Sequence, residues 1–455
     1  MPFGHGADQV PRDGRTGKTR GRVGKGVLGA SRTPVAPFGV RNGDLHCEGL
    51  SAETIALAVG TPTFVYSTEA IRDRYRQLTD ALKDCPFRVH YSMKANGNRA
   101  IVTLLRELGS GVDVVSGGEL ARALRAGFRG PDIVLGGVGK TAVELREALR
   151  AGVKLINVES RAELFLLDAI AGELGVVAPV GLRVNPDVVI ANAHEYIATG
   201  ARGHKFGIEH GEALAVAREA IALRHVQLVA LDMHVGSQLA TLDPYRDGLA
   251  RLMDLARQVR AAGADLKYLD IGGGLPVVYQ DGDQEPDLAG YGALVSRAIR
   301  ELGVELIVEP GRFFAGVSGV LLTRVLYRKE SGGKQYVIVD AGMNDLLRPS
   351  HYDAYHRIDA ARPSGKRVRA DVVGPVCETG DFLALDRDVD DVAPGDLVVV
   401  HGAGAYGYVM SSNYNARPRA AEVMVDGEQY AVVTRRESYD DLMRLELEDP
   451  HWRDA

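Results

Sequence analysis

From about residue 62 the chain alternates two patterns: short β-branched runs that end in Gly, Asn or Ser, and stretches with helical spacing between them. In NRAIVTLLRELG (98–109), Ile101, Leu104, Leu105 and Leu108 fall at i, i+3, i+4 and i+7. That spacing is one apolar face of a helix, and Asn98 is placed to cap it. PYRDGLARLMDLARQVRAA (244–262) repeats the spacing with Leu249, Leu252, Met253, Ala256 and Val259. The strand-like runs are FRVHYSM (87–93), VDVVS (112–116), DIVLG (132–136), LINVES (155–160), VGLRVN (180–185), VALDMHVG (229–236), YLDIGG (268–273) and ELIVEP (305–310). Most are apolar on both faces, as a buried parallel sheet requires. Eight βα units over about 225 residues predict an α/β fold built on a (β/α)8, TIM-like barrel. A doubly wound open sheet is the runner-up, because no G-x-G-x-x-G fingerprint follows the first strand.

After residue 317 helical spacing mostly stops. KQYVIVDAG, KRVRADVVG, DFLALDR, GDLVVVHGAG and AEVMVDGEQYAVVTR are separated by Gly, Pro and Asp turns, which predicts a C-terminal all-β domain, barrel- or sandwich-like. Residues 41–68 also look β-like and are expected to complete that domain from the N-terminal side. The expected division is a basic extension (1–40), N-terminal strands (41–68), a (β/α)8 barrel (69–317) and a β domain (318–455).

Composition changes this picture in two places. Residues 1–40 hold seven Lys/Arg, two acids and nine of the chain's 54 glycines, while the whole chain carries a net charge of −6. The tail reads as an unstructured extension, or as the product of a start placed too early, rather than a nucleic-acid arm or organelle address. With the bulk of the chain acidic and no apolar run of 18 residues, neither nucleic acid nor a membrane is expected as a partner. Cys47, Cys85 and Cys377 are few and odd in number, which fits a reducing cytoplasm.

In such a barrel, chemistry gathers at the C-terminal ends of the strands. Strand one ends in Lys94, strand six in His234, strand seven in Gly272-Gly273-Gly274, and strand eight in Glu309-Pro310-Gly311-Arg312. A lysine pushed into a barrel mouth is expected to lose proton affinity by desolvation and become a nucleophilic amine suited to a Schiff base. Taken alone, a strand-end lysine that snorkels to water is the plainer reading. Glycines after strand seven leave backbone N–H groups open to an anion, and Arg312 adds a positive charge beside them. Glu309 could share a proton with a ring nitrogen, or simply pair with Arg312. Lysine, anion cradle and acid together describe a site for pyridoxal 5′-phosphate, and no metal is called for. Downstream, DAGMNDLLRPSHYDAYH (340–356), GPVCETGD (374–381) and GAYGYVMSSNYNARP (404–418) gather polar and aromatic residues.

From about residue 41 to 445 the chain resembles the fold-type III pyridoxal-phosphate-dependent decarboxylases. The resemblance rests on YSMKAN, HEYIATG with KFGI, HVGSQ, DIGGGLP, EPGR, DAGMNDLLRP with YDAYH, GPVCETGD and GAYGYVMSSNYNARPRAAEV, in that order. It implies a homodimer with shared active sites. It implies that Lys94 carries the cofactor, that His234 stacks on its ring, and that Ser237, Gly272 to Gly274, Glu309 to Arg312 and Tyr406 bind it. It further implies that Cys377 donates a proton in the other subunit's site, and that Arg312, Arg348, Tyr352, Glu378 and Tyr406 hold the substrate. Glu378 and Arg348 together suit a distal group bearing both an amine and a carboxylate, as meso-2,6-diaminopimelate has. The expected products are then CO2 and L-lysine, the last step of lysine biosynthesis. Ser350-His351 stands where two apolar residues are expected, and GVGKT and VCET are mild variants. A sister decarboxylase with another amino acid or a carrier-bound substrate is the alternative. An inactive cofactor-binding homologue is disfavoured because Lys94 and Cys377 are both kept.

Overall fold

The computed structural model describes residues 37–188, 203–450 and 452–453. The basic tail up to residue 36 and the HEYIATG motif lie outside the described residues. Three short strands, β1 (Phe38–Arg41), β2 (Asp44–Cys47) and β3 (Leu50–Ser51), pair antiparallel in a small sheet of their own. A fourth, β4 (Thr63–Ser67), is buried along its whole length.

Eight strands then run parallel: β5 (Phe87–Ser92), β6 (Gly111–Val114), β7 (Ile133–Leu135), β8 (Leu155–Val158), β9 (Ala178–Asn185), and, after a two-residue strand β10 (Ile208–Glu209) on the edge of β9, β11 (Val226–Asp232), β12 (Tyr268–Asp270) and β13 (Glu305–Val308). Each of the eight pairs with the next, and β13 pairs with β5, so the sheet closes on itself. All eight runs read from the sequence fall on these strands, and the fold is the expected barrel, not the open sheet. Val134, Leu155, Val229, Ala230 and Ile307 form a separate apolar cluster from four of the strands and fill the barrel's inside, as branched side chains do in this architecture.

The intervening helices start and stop where their chemistry dictates. Asn98 caps the helix Arg99–Glu107 by accepting from the Ala100 N–H at 2.9 Å. Thr141 and Glu144 form a reciprocal capping box on Ala142–Ala151, which ends on left-handed Gly152. Such caps satisfy the orphan backbone groups of a helix end.

The remaining strands are β14 (Gly319–Ser331), β15 (Lys334–Val339), β16 (Ile358–Ala360), β17 (Arg367–Val373), β18 (Phe382–Asp390), β19 (Leu397–Val400), β20 (Ala421–Asp426) and β21 (Gln429–Thr434). The turn-separated runs do not include the organising one: β14, 13 residues long, pairs with β4, β15 and β19. β4 sits between β14 and β20, antiparallel to the first and parallel to the second. Within residues 41–68, then, β4 enters this second sheet, while β2 and β3 stay in the separate small one.

Candidate active site

The strand ends open on a cavity of about 820 Å³. Lys94, His234, Ser237, Glu309, Arg312, Arg348, Tyr352 and Tyr406 all line it. These residues span positions 94 to 406, and the fold brings them together. Cys377 and Glu378 are not among its lining residues; the Cys377 side of that turn is exposed, and its backbone N–H donates to Asn415 Oδ1 at 2.7 Å. His351 is exposed and stacks edge-on against Tyr352, with ring centroids 4.5 Å apart, and it does not line the cavity either.

Lys94 reaches into this space with 41% of its side chain open, and its Nζ stands 3.0 Å from Asp113 Oδ2. The same carboxylate oxygen accepts from Ser92 Oγ at 2.8 Å. Desolvation alone would lower the proton affinity of Lys94, as the sequence suggests. The net direction is the reverse: the charge of Asp113, its ion-pair partner, leads the interactions that outweigh burial and raise it. A charge a few ångströms away is stronger than partial desolvation when little water screens it. The amine is therefore held as an ammonium until a ligand replaces the ion pair.

Asp113, Asp232 and Asp270 are all at most 4% exposed, and they cluster with Glu309. Burial, then the charges of Asp113, Asp270 and Asp232, push the Glu309 carboxyl well above the ordinary carboxylate range. Burial lifts Asp270 to about 6. Arg183 pairs with buried Glu159 at 2.7 Å beside this group. The sequence reading missed these acids. The available signal was an acid inside an otherwise apolar strand, in VDVVS, VALDMH and YLDIGG.

His234 is pulled down to about 3 by burial, with Arg183 and Lys94 adding like charge, so its ring is neutral. Its Nδ1 accepts from the Gly273 N–H at 3.3 Å, which leaves the proton on Nε2. The Gly272 N–H donates to Asp270 Oδ1 at 2.9 Å. Two of the three N–H groups expected to be open to an anion are thus turned inward. What the glycines supply is room. Gly272 has φ +66°, and a Cβ there would stand 2.6 Å from His234 Nδ1, while one on Gly273 would stand 2.5 Å from the Glu309 carbonyl oxygen. Gly311 is less tight, with a Cβ there 2.9 Å from Ala95 Cβ and 3.0 Å from Ser92 Cβ, and the Pro310 carbonyl accepts from the Ser92 N–H at 3.2 Å.

Opposite the acids, Arg312 and Arg348 are 8% and 6% exposed. The expected alternative of a Glu309–Arg312 ion pair does not form. Arg312 donates instead to Ser237 Oγ at 3.1 Å and to the Tyr279 hydroxyl at 2.8 Å, and its guanidinium lies 4.9 Å over the Tyr406 ring. Burial would push the Tyr279 hydroxyl up; Arg312 and Arg348 overrule it and pull it below its usual value. Tyr279 has no signal in the sequence, standing in a loop after strand seven. An amine beside acids, a protonated carboxyl, and two cations facing the same cavity fit pyridoxal phosphate as a donor set: a group for the aldehyde, one for a ring nitrogen, and charge for anionic oxygens.

A closed parallel barrel with this arrangement at its strand ends defines the class of pyridoxal-dependent barrel decarboxylases. Residues 68–316 match the family described as pyridoxal-dependent decarboxylase, pyridoxal binding domain. The chain is 48% identical over 407 residues to the diaminopimelate decarboxylase of Pseudomonas aeruginosa, covering 89% of this chain and 97% of that one. The structure of diaminopimelate decarboxylase from Helicobacter pylori complexed with L-lysine superposes with a TM-score of 0.83 at 39% identity, over 87% of this chain and 98% of that one. The enzyme from M. jannaschii in co-complex with L-lysine gives 0.86 at 33%, over 91% and 98%. The chain belongs to the diaminopimelate decarboxylase family, whose cofactor is pyridoxal phosphate.

Proposed function

We propose that the chain decarboxylates meso-2,6-diaminopimelate to L-lysine and CO2. The observation that carries this reading is the cavity's polarity: buried Arg312 and Arg348 face it with no carboxylate ion-paired to them among the described residues, while Lys94 stands at its acidic end. A substrate that places an α-amino acid group at one end and a carboxylate at the other suits both. When bound, pyridoxal phosphate supplies an aldehyde for an amine and a ring that takes up the electrons freed as a carboxylate leaves.

The chain's own residues do the rest. Lys94 holds the amine that meets the aldehyde, and Asp113 beside it can take a proton from that amine. Glu309, its carboxyl pushed up by burial and then by its acidic neighbours, is placed to share a proton with a ring nitrogen. Neutral His234, Ser237, the loop Gly272–Gly274, the turn Glu309-Pro310-Gly311-Arg312 and Tyr406 make the cofactor side. Arg312, Arg348, Tyr352 and Tyr406 hold carboxylates. Cys377 and Glu378, which lie off this cavity in one chain, serve the site of a second copy in a homodimer: the thiol gives a proton to the α-carbon and the carboxylate takes the distal amine. Residues 69–317 then form the cofactor-binding unit and 318–455 with β4 the part that completes it. Cys47, Cys85 and Cys377 are all unpaired, which supports a reducing cytoplasm.

The test is direct. Purified protein with pyridoxal phosphate should release CO2 and L-lysine from meso-diaminopimelate; normal cofactor absorbance without turnover overturns the reading. For the dimer, Lys94→Ala and Cys377→Ala proteins, each inactive, are mixed in equal amounts. Shared sites return about a quarter of wild-type activity, the share of intact sites under random pairing; no recovery refutes sharing.

A further inference from the structure

Arg348 is aimed by a residue that no ligand in the cavity can touch. Its Nη1 lies 3.1 Å from His356 Nε2, and His356 Nδ1 lies 2.8 Å from the His401 carbonyl oxygen. A carbonyl only accepts, so the ring proton sits on Nδ1. Burial, with the charge of Arg348 adding to it, pulls His356 down to about 3, so the ring is neutral and Nε2 has a lone pair for the guanidinium. The guanidinium also lies 4.9 Å over the Tyr279 ring, and that ring meets His356 edge-on at 5.7 Å. Gly402, at φ +66°, lets the Tyr279 ring approach: a Cβ there would stand 2.9 Å from it. His356 is fully buried and is not among the lining residues. Arg348 is therefore oriented by a neutral acceptor and an aromatic face, and its charge is left for the cavity. An Asp or Glu in place of His356 would orient it equally well but would neutralise it.

We infer that His356 is a positioning residue that sets the enzyme's selectivity for a substrate carrying a distal carboxylate, by holding Arg348 aimed and uncompensated. The inference rests on the proposed function, in which Arg348 receives that carboxylate.

The two ring nitrogens can be tested apart in the holoenzyme. His356→Asn keeps an N–H near the Nδ1 position for the His401 carbonyl and loses the acceptor facing Arg348. His356→Gln places an acceptor near the Nε2 position and loses the anchor to His401. Positioning predicts that H356N raises KM for meso-diaminopimelate about tenfold or more, the range for a lost hydrogen bond to a charged group. Its kcat and its bound-cofactor absorbance stay within about twofold, while inhibition by L-lysine, whose one carboxylate is the distal one left after CO2 departs, weakens in step with KM. H356Q returns KM to within about threefold of wild type. A merely structural histidine predicts the reverse order, with H356N intact and H356Q impaired, and that result overturns the inference. So does L-lysine inhibition that stays within about twofold of wild type in H356N. Should H356N not fold, a folded H356Q with KM raised tenfold overturns it as well. A wild-type enzyme that leaves meso-diaminopimelate untouched overturns the proposed function and this inference together; an active wild type with KM unmoved in H356N overturns this inference alone.

Discussion

The two ends of the cavity are built on opposite principles. At the barrel end a single lysine stands among acids: Asp113 at 3.0 Å, with Asp232, Asp270 and Glu309 behind it. Charge there is shared, and protons are what the neighbourhood controls. At the other end two buried arginines are held by groups that cannot cancel them: a serine hydroxyl, a tyrosine and a neutral histidine. Charge there is stored for a ligand. The contrast teaches how one cavity orients a molecule with two similar ends. Carboxylates are drawn to the arginines, and amine chemistry is confined to the acids.

Each end can be broken separately. Lys94→Ala removes the only lysine that lines the cavity among the described residues and should abolish the cofactor's lysine-bound absorbance and lower CO2 release on the order of 10³-fold or more; near-normal turnover would show that the acidic end is not the reacting one. Arg348→Ala should leave the absorbance in place while raising KM for meso-diaminopimelate roughly 10²-fold, as loss of a desolvated charged partner does. A fall in kcat at unchanged KM would place the arginine with the chemistry instead.

Smaller effects sharpen the acidic end. Removing the Asp113 charge lowers the proton affinity of Lys94, whose raised value comes mainly from that carboxylate against burial. The rate at which apoprotein takes up pyridoxal phosphate rises with pH as the ammonium loses its proton, so in Asp113→Asn the rise should move to lower pH. A move to higher pH contradicts the ion pair. Asp270, lifted by burial to about 6, binds a proton in the folded state that an unfolded chain releases near pH ~4. Its contribution to stability is present below that range and is lost as pH rises toward 6. Asp270→Asn, which cannot ionise, should therefore gain in apoprotein Tm relative to wild type between pH 4.5 and 7 and then level off. A difference independent of pH would mean that Asp270 stays ionised in the fold.

Much of the scaffold was legible because it rests on local rules. Eight apolar runs separated by amphipathic segments leave few alternatives to a closed parallel sheet, and Asn98 and Gly152 mark helix ends by their own chemistry. The strand β14 escaped notice because its second half is polar and exposed, LYRKES at the end of GVLLTRV, so neither alternation nor a continuous apolar run stands out. Lys94, Glu309 and Arg312 were visible as polar residues at strand ends. Tyr279 was not, since it is in a loop without pattern, and His356 stood out only as one of several polar residues with Asn344, Arg348 and Tyr352, any of which could turn inward.

By itself the sequence determined which elements form and which chemical groups stand at the barrel's mouth, because capping, periodicity and strand-end position depend on neighbours within a few residues. Only the tertiary structure decided the state of those groups. The proton on Lys94 is set by a carboxylate 19 positions away, and the aim of Arg348 by a histidine whose own tautomer depends on the carbonyl of residue 401. Electrostatic energies follow distance in space and the exclusion of water, and neither can be read along a chain.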